Sequence, residues 1–139
     1  MARLRYLADT SAFARLTKPA VAAAFAPHAA EGRIAVCSPV AFELGYSARN
    51  HADYLELSDR LLSFTAVPVT DADHQRTREV QAELSARGQH RAVSFVDALV
   101  AAIAEARELT VLHYDADFEL VADITGQSHE WIVERGTAD

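Results

Sequence analysis

The chain has 139 residues, 50% of them hydrophobic and 24% charged, the profile of one ordinary globular domain spanning positions 1–139. No apolar run approaches the roughly 20 residues that cross a bilayer, and Asp9 interrupts the apolar start too early for a signal peptide, which argues against a membrane-bound or secreted protein. A single cysteine, Cys37, excludes an internal disulfide framework and fits a cytoplasmic location, while a net charge of −7 with one lysine among 13 basic residues argues against diffuse attraction to nucleic acid.

In chain order, "RLRYLA" (3–8) reads as a short strand and "TSAFARL" (10–16) as a short helix broken at Lys18-Pro19. An Ala-rich helix over 20–32 contains Pro27 and stops at Gly32. "RIAVCS" (33–38) is a buried strand, and Ser38-Pro39 is an N-cap and first-turn pair for a helix running through "VAFELGYSARN". A further helix occupies 51–64. "TAVPVT" (65–70) is a strand that Pro68 confines to a sheet edge, and Asp71 caps a polar helix reaching about Arg87. After the "RGQH" loop comes the most apolar helix, 94–108, then a strand over 109–115, a helix through "ADFELVADI" and a last strand over 130–134. Apolar strands alternating with helices predict a mainly parallel sheet covered on both faces, a three-layer α/β/α sandwich. In such sheets the ligand site lies beyond the C-terminal strand ends.

Carboxylates fall there. Asp9 follows the first strand, Asp115 ends the "LTVLHYD" strand, and Asp117 lies two residues on. Glu43 sits one turn into the helix after the second strand, and Asp97 in the first turn of the apolar helix. Structural roles are open to most of them: Asp9 and Asp115 as helix caps, Ser94-x-x-Asp97 as a capping box, Asp117 as a complement to a helix dipole. Glu43 resists that reading, because a carboxylate between Phe42 and Leu44 costs stability unless it is paired, solvated or coordinated. Converging carboxylates without an intervening lysine repel one another, and a divalent cation resolves the repulsion. Oxygen ligands without His or Cys favour Mg²⁺ or Mn²⁺ over zinc. The six histidines are scattered; His113 stands out because it precedes Asp115 at a strand end.

Four segments, "LADTSAF", "VAFELGYSA", "SFVDALVAAIA" and "VLHYDADFELV", in this order and spacing, resemble the PIN domain, and more closely the VapC toxins of bacterial toxin–antitoxin pairs. The resemblance implies an acidic quartet at Asp9, Glu43, Asp97 and Asp115, with Asp117 as a fifth acid and Thr10 as the small hydroxyl residue beside the first. It further implies a Mg²⁺-dependent endoribonuclease (Mn²⁺ being the other ion compatible with the site), an RNA substrate, a homodimer and inhibition by a VapB-type antitoxin. Hydrolysis would leave 5′-phosphate and 3′-hydroxyl ends. Whether Asp115 or Asp117 faces the metal stays open. Metal bound at the quartet would weaken the charge objection to RNA, with Arg15, Arg87 and Arg91 as candidates for positioning the backbone. Thr10 and Ser11 are expected to leave room for water and phosphate. The apolar residues Tyr46, Tyr54, Leu55, Leu57, Leu61 and Leu62 combine core packing with a groove for an antitoxin helix.

Two other chemistries that begin with a strand and an Asp do not fit. A haloacid-dehalogenase-type phosphatase needs a second Asp at position 11, where Ser11 stands, and a receiver domain needs an acidic pair and a late lysine. The remaining alternative is a non-catalytic PIN-like scaffold that binds RNA or a protein.

Overall fold

The central strands are short apolar runs because both of their faces are covered. In the computed structural model, which describes residues 3–139, β1 (Tyr6–Ala8), β2 (Ile34–Val36), β3 (Thr65–Ala66), β4 (Thr110–His113) and β5 (His129–Trp131) form one sheet in the order β3-β2-β1-β4-β5. All of its pairings are parallel, with Tyr6 opposite Ile34 and Ala8 opposite Leu112. Alternate strand residues feed two separate cores. Leu7, Ala35 and Val111 pack with α5 (Asp71–Ala86), α6 (Phe95–Ala106) and α7 (Asp117–Thr125) through Val80, Leu84, Val100, Ile103 and Phe118. Tyr6, Ala8, Ile34 and Leu112 pack on the other face with α1 (Thr10–Phe13) and α2 (Pro19–Ala30) through Ala12, Val21 and Phe25. The expected α/β/α sandwich is therefore present, and its sheet is wholly parallel.

This strand order places a functional crevice. The chain leaves β1 toward β2 and β3 on one side, then returns to pair β4 on the other side of β1. Connections diverge at the C-terminal ends of β1 and β4, the topological switch point where open parallel sheets bind ligands. Asp9 follows β1 there, and its N–H donates to Leu112 O at 2.9 Å.

Several boundaries differ from expectation for local reasons. The helix predicted over 10–16 keeps regular form only through Phe13, then tightens into turns in which Arg15 and Leu16 donate to Ala12 and Phe13. The helix expected to run through Asn50 stops at Tyr46, giving α3 (Ser38–Tyr46), while Asn50 Oδ1 accepts from Asp53 N at 2.9 Å and caps the next helix, α4 (His51–Leu61). Ser38 is the first helical residue of α3, not its cap; that position is Cys37. Thr70, not Asp71, caps α5, in a reciprocal box with Asp73. β3 is an edge strand, shortened to two residues, since Pro68 has no N–H to extend the ladder. The last strand ends at Trp131 because the following segment turns back to Tyr114, whose hydroxyl accepts from Gly136 N and Ala138 N at 2.8 and 2.9 Å. Among the described residues, no helix is long and apolar enough to cross a membrane.

Candidate active site

Asp9 is 2% exposed and caps α1. Its Oδ2 accepts from Ser11 N at 3.0 Å and from Ser11 Oγ at 2.7 Å. Its Oδ1 is buried with no hydrogen-bond partner, an arrangement that costs stability and leaves that oxygen free to meet a cation. Burial pushes the Asp9 carboxyl up, the Ser11 bonds oppose this, and the charges of Glu43 and Asp115 add to the rise.

Glu43 is half-buried on α3. It has the partner that its apolar surroundings demand: Thr10 Oγ1 donates to Glu43 Oε1 at 2.6 Å. Thr10 is thereby engaged with a carboxylate, and Ser11 with Asp9. Both hydroxyls orient acids, a role that the expectation of room for water and phosphate did not include.

Asp97 reaches the crevice from the first turn of α6. Only half of the predicted capping box forms: Ser94 Oγ accepts from Asp97 N at 3.2 Å, while the Asp97 carboxyl meets that of Asp117. Burial, then Asp9, Asp115 and Asp117, push Asp97 up to about 8. Asp117 is raised too, chiefly by burial and then by Asp115. Asp115 Oδ1 accepts from Asp117 N at 2.9 Å, meeting the first N–H of α7 from one residue outside the N-cap position, which is Ala116. Capping and clustering are compatible, because each carboxylate has a second oxygen.

Oxygens of Asp97, Asp115 and Asp117 lie within 4.8 Å of one another, the one such group of potential metal donors among the described residues. Asp9 and Glu43 stand beside this group as charged neighbours. Hard carboxylate oxygens, mutual repulsion that raises Asp97, and an orphaned buried oxygen on Asp9 together fit a divalent cation. Mg²⁺ and Mn²⁺ suit an all-oxygen donor set.

His113 is the residue whose role sequence reasoning left open. It is fully buried; its Nδ1 accepts from Asp115 N at 3.0 Å, and its Nε2 is 2.9 Å from His129 Nδ1. The first bond requires a lone pair on Nδ1, so the proton sits on Nε2 and is donated to His129. Burial, then His129, lowers His113 to about 3, and the ring stays neutral. The only signal in the sequence was its place before Asp115. The positioning arginines fare differently. Arg15 donates to Ala138 O and Ser11 O and lies over the Tyr114 ring, so it ties down the C-terminal segment. Arg87 and Arg91 are exposed, at the end of α5 and in the turn before α6.

Comparison with known proteins agrees with this fold. Residues 6–124 match the PIN domain model. Ribonuclease VapC51 of Mycobacterium tuberculosis is 44% identical over 136 residues, covering 98% of each chain. Ribonuclease VapC18 of the same organism is 39% identical, over 95% of this chain and 98% of its own. The fold matches that in the crystal structure of DNA-bound VapBC from Salmonella typhimurium with a TM-score of 0.77 at 20% identity, over 94% of this chain and 99% of that one. With five acids at the C-terminal edge of a five-stranded parallel sheet and full-length relatives of this similarity, the chain belongs to the PIN-domain family, among the VapC ribonucleases.

Proposed function

We propose that this protein is a divalent-metal-dependent endoribonuclease, the toxin of a toxin–antitoxin pair, acting as one domain with Asp9, Glu43, Asp97, Asp115 and Asp117 as its site. The observation that carries the reading is the unpartnered buried Oδ1 of Asp9 beside the carboxylate group of Asp97, Asp115 and Asp117. Asp97, Asp115 and Asp117 would hold Mg²⁺ or Mn²⁺ together with Asp9. The cation supplies Lewis acidity toward the scissile phosphate and lowers the pKa of a water.

The chain's own residues do the rest. Ser11 fixes the Asp9 carboxylate through Oδ2 and leaves Oδ1 for the ligand. Thr10 holds Glu43 by one oxygen, so the other can accept a proton from the attacking water. His113 orients the backbone at Asp115. Attack on phosphorus breaks the bond to the leaving 3′ oxygen, leaving 5′-phosphate and 3′-hydroxyl ends. Arg87 and Arg91, both exposed, would supply contacts to the RNA backbone.

The α3–α4 surface supports an antitoxin partner. Phe42 is 77% and Tyr46 87% exposed, beside a groove of about 430 Å³ bounded by Tyr54, Leu57 and Leu61. Exposed aromatics along a helical groove suit an amphipathic VapB-type helix, and the protein would act as a cytoplasmic homodimer. The test is cleavage of single-stranded RNA with Mg²⁺ or Mn²⁺ by wild type and Asp9→Asn. Cleavage by the wild type alone supports the reading; equal cleavage by both, or none by either, overturns it and favours a binding scaffold.

A further inference from the structure

The edge strand β5 carries none of the five site acids, yet its first residue reaches them through a chain of hydrogen bonds. His129 lies opposite Val111 on β4, and His113 stands two residues beyond Val111, on the same face of the sheet. The two histidine rings meet diagonally across the strands with centroids 5.1 Å apart, and His113 Nε2 is 2.9 Å from His129 Nδ1. On the other side of the ring, His113 Nδ1 accepts from Asp115 N at 3.0 Å, and Asp115 Oδ1 accepts from Asp117 N at 2.9 Å. Two members of the carboxylate group are therefore joined, bond by bond, to the edge of the sheet.

His113 does not keep this order by itself. A neutral imidazole carries one proton, so one nitrogen donates and the other accepts. Asp115 N requires the lone pair on Nδ1, which leaves a proton on Nε2 of a fully buried ring. The other rings against His113 are Phe118 and Trp131, with centroids at 4.9 and 5.0 Å. Phe118 has no acceptor, and the Trp131 indole N–H is itself a donor, bonded to Glu119 Oε1 at 2.9 Å. His129 Nδ1 supplies the acceptor, without which the buried N–H would bear its full desolvation cost. Packing alone does not explain the pair. An apolar side chain at position 113 would fill the same space with no nitrogen to satisfy, and would leave Asp115 N without its acceptor.

We infer that His129 is a positioning residue for the carboxylate site: by accepting from His113 Nε2 it fixes the tautomer that holds Asp115 N, and with it the Asp115 carboxylate beside Asp97 and Asp117. The inference rests on the metal-dependent reading above and deepens it, because it assigns support of the metal-binding acids to a strand that holds none of them. Outer partners of this kind orient the groups that meet a metal without touching it.

The test uses the full chain with His129→Leu, which removes the acceptor, and His129→Asn, whose Oδ1 stands in for Nδ1. In the metal-free protein, the Asp115 amide of His129→Leu is expected to exchange with solvent about ten-fold faster than in wild type, with the amides of β1 unchanged. The same variant is expected to bind Mn²⁺ about ten-fold more weakly, and to lower kcat for RNA more than it raises KM. His129→Asn restores exchange, affinity and turnover toward the wild-type values. His113→Asn keeps an acceptor for Asp115 N but does not reach residue 129, so adding His129→Leu to it has no further effect. Wild-type exchange and Mn²⁺ affinity in His129→Leu, or a His129→Asn no better than His129→Leu, overturns the positioning role while the ribonuclease reading still stands. A wild type that binds no Mn²⁺ and cleaves no RNA, with its fold confirmed by circular dichroism, overturns that reading and the positioning role with it.

Discussion

Ser11 Oγ donates to Asp9 Oδ2 at 2.7 Å and accepts from Tyr114 N at 2.8 Å. One hydroxyl thus ties the carboxylate at the end of β1 to the backbone just after β4, across 103 positions of sequence. The same Tyr114 anchors the C-terminal segment through its hydroxyl, which donates to Asp139 and accepts from Gly136 and Ala138. Asp9 is therefore held from two strands, and only its Oδ1 is left for a ligand.

Replacing Ser11 by Ala removes that tie without touching the acids. Metal affinity and cleavage are expected to fall about 10–100-fold, the usual effect of losing an outer support of a metal-binding side chain. Isothermal titration with Mn²⁺, run beside initial cleavage rates, separates the two effects. Unchanged affinity and rate would show that Asp9 is held adequately by Ser11 N and its own burial.

Thr10→Val keeps the shape of residue 10 and deletes the donor to Glu43. A drop in cleavage of about ten-fold is expected. Because Thr10 and Glu43 act as a pair, the Thr10→Val/Glu43→Gln double variant should lose far less than the sum of the single losses. Strict additivity in a double-mutant cycle would contradict the pairing.

The acids make stability depend on pH. Asp97 has a folded pKa of about 8 against roughly 3.9 when unfolded, so the native state holds a proton there that the unfolded chain has released. Asp9 and Asp117 are shifted in the same direction. Without metal, their contribution to stability is complete at acid pH and is lost as pH rises through about 8. His113 acts oppositely: its folded pKa of about 3 lies below the roughly 6.5 of an unfolded histidine, so its contribution is present above that value and lost as pH falls toward 3. In EDTA, Tm should therefore decline from pH 6.5 to 8.5, as the acids lose their protons. Saturating Mg²⁺ should flatten or reverse that slope, since the ion favours the ionised carboxylates. Thermal melts across this range, with and without Mg²⁺, check both signs.

Asp97→Asn removes a buried, crowded charge. Metal-dependent cleavage is expected to be abolished, while Tm in EDTA at pH 8 rises above wild type, because the repulsion from Asp9, Asp115 and Asp117 is relieved. A variant both inactive and less stable would instead make Asp97 a structural cap.

On the α3–α4 face, Phe42→Glu introduces a charge at a residue that is 77% exposed. Capture by a VapB-type antitoxin should weaken by at least about ten-fold, and co-expressed antitoxin should no longer suppress toxicity. Binding measured by surface plasmon resonance distinguishes this from poor antitoxin expression.

The elements themselves were legible because each is written in local patterns: short apolar strands, helical stripes, and a proline that confines β3 to the edge. The misread boundaries at Ser38, Asn50 and Thr70 turn on which side chain reaches which N–H, a contest among nearby polar residues that pattern alone leaves open. At the site, Asp9, Glu43, Asp97, Asp115 and Asp117 were legible as carboxylates placed after strands or early in helices. Their environments were not. Thr10 was visible beside Asp9, but its bond to Glu43 spans 33 positions, and the His113–His129 pair exists only once β5 lies against β4.

By itself, the sequence determined an alternating α/β chain with acids at the strand ends, since side-chain periodicity and helix-start chemistry operate over a few residues. Tertiary structure alone decided that β1 lies between β2 and β4, that Asp97 turns to Asp117 rather than back to Ser94, and that Oδ1 of Asp9 is left unpaired. The physical reason is that strands of similar apolar character are ordered by packing of the helices between them, and a carboxylate's free oxygen is defined by the donors around it, here Ser11, which is itself held by Tyr114 N 103 positions away.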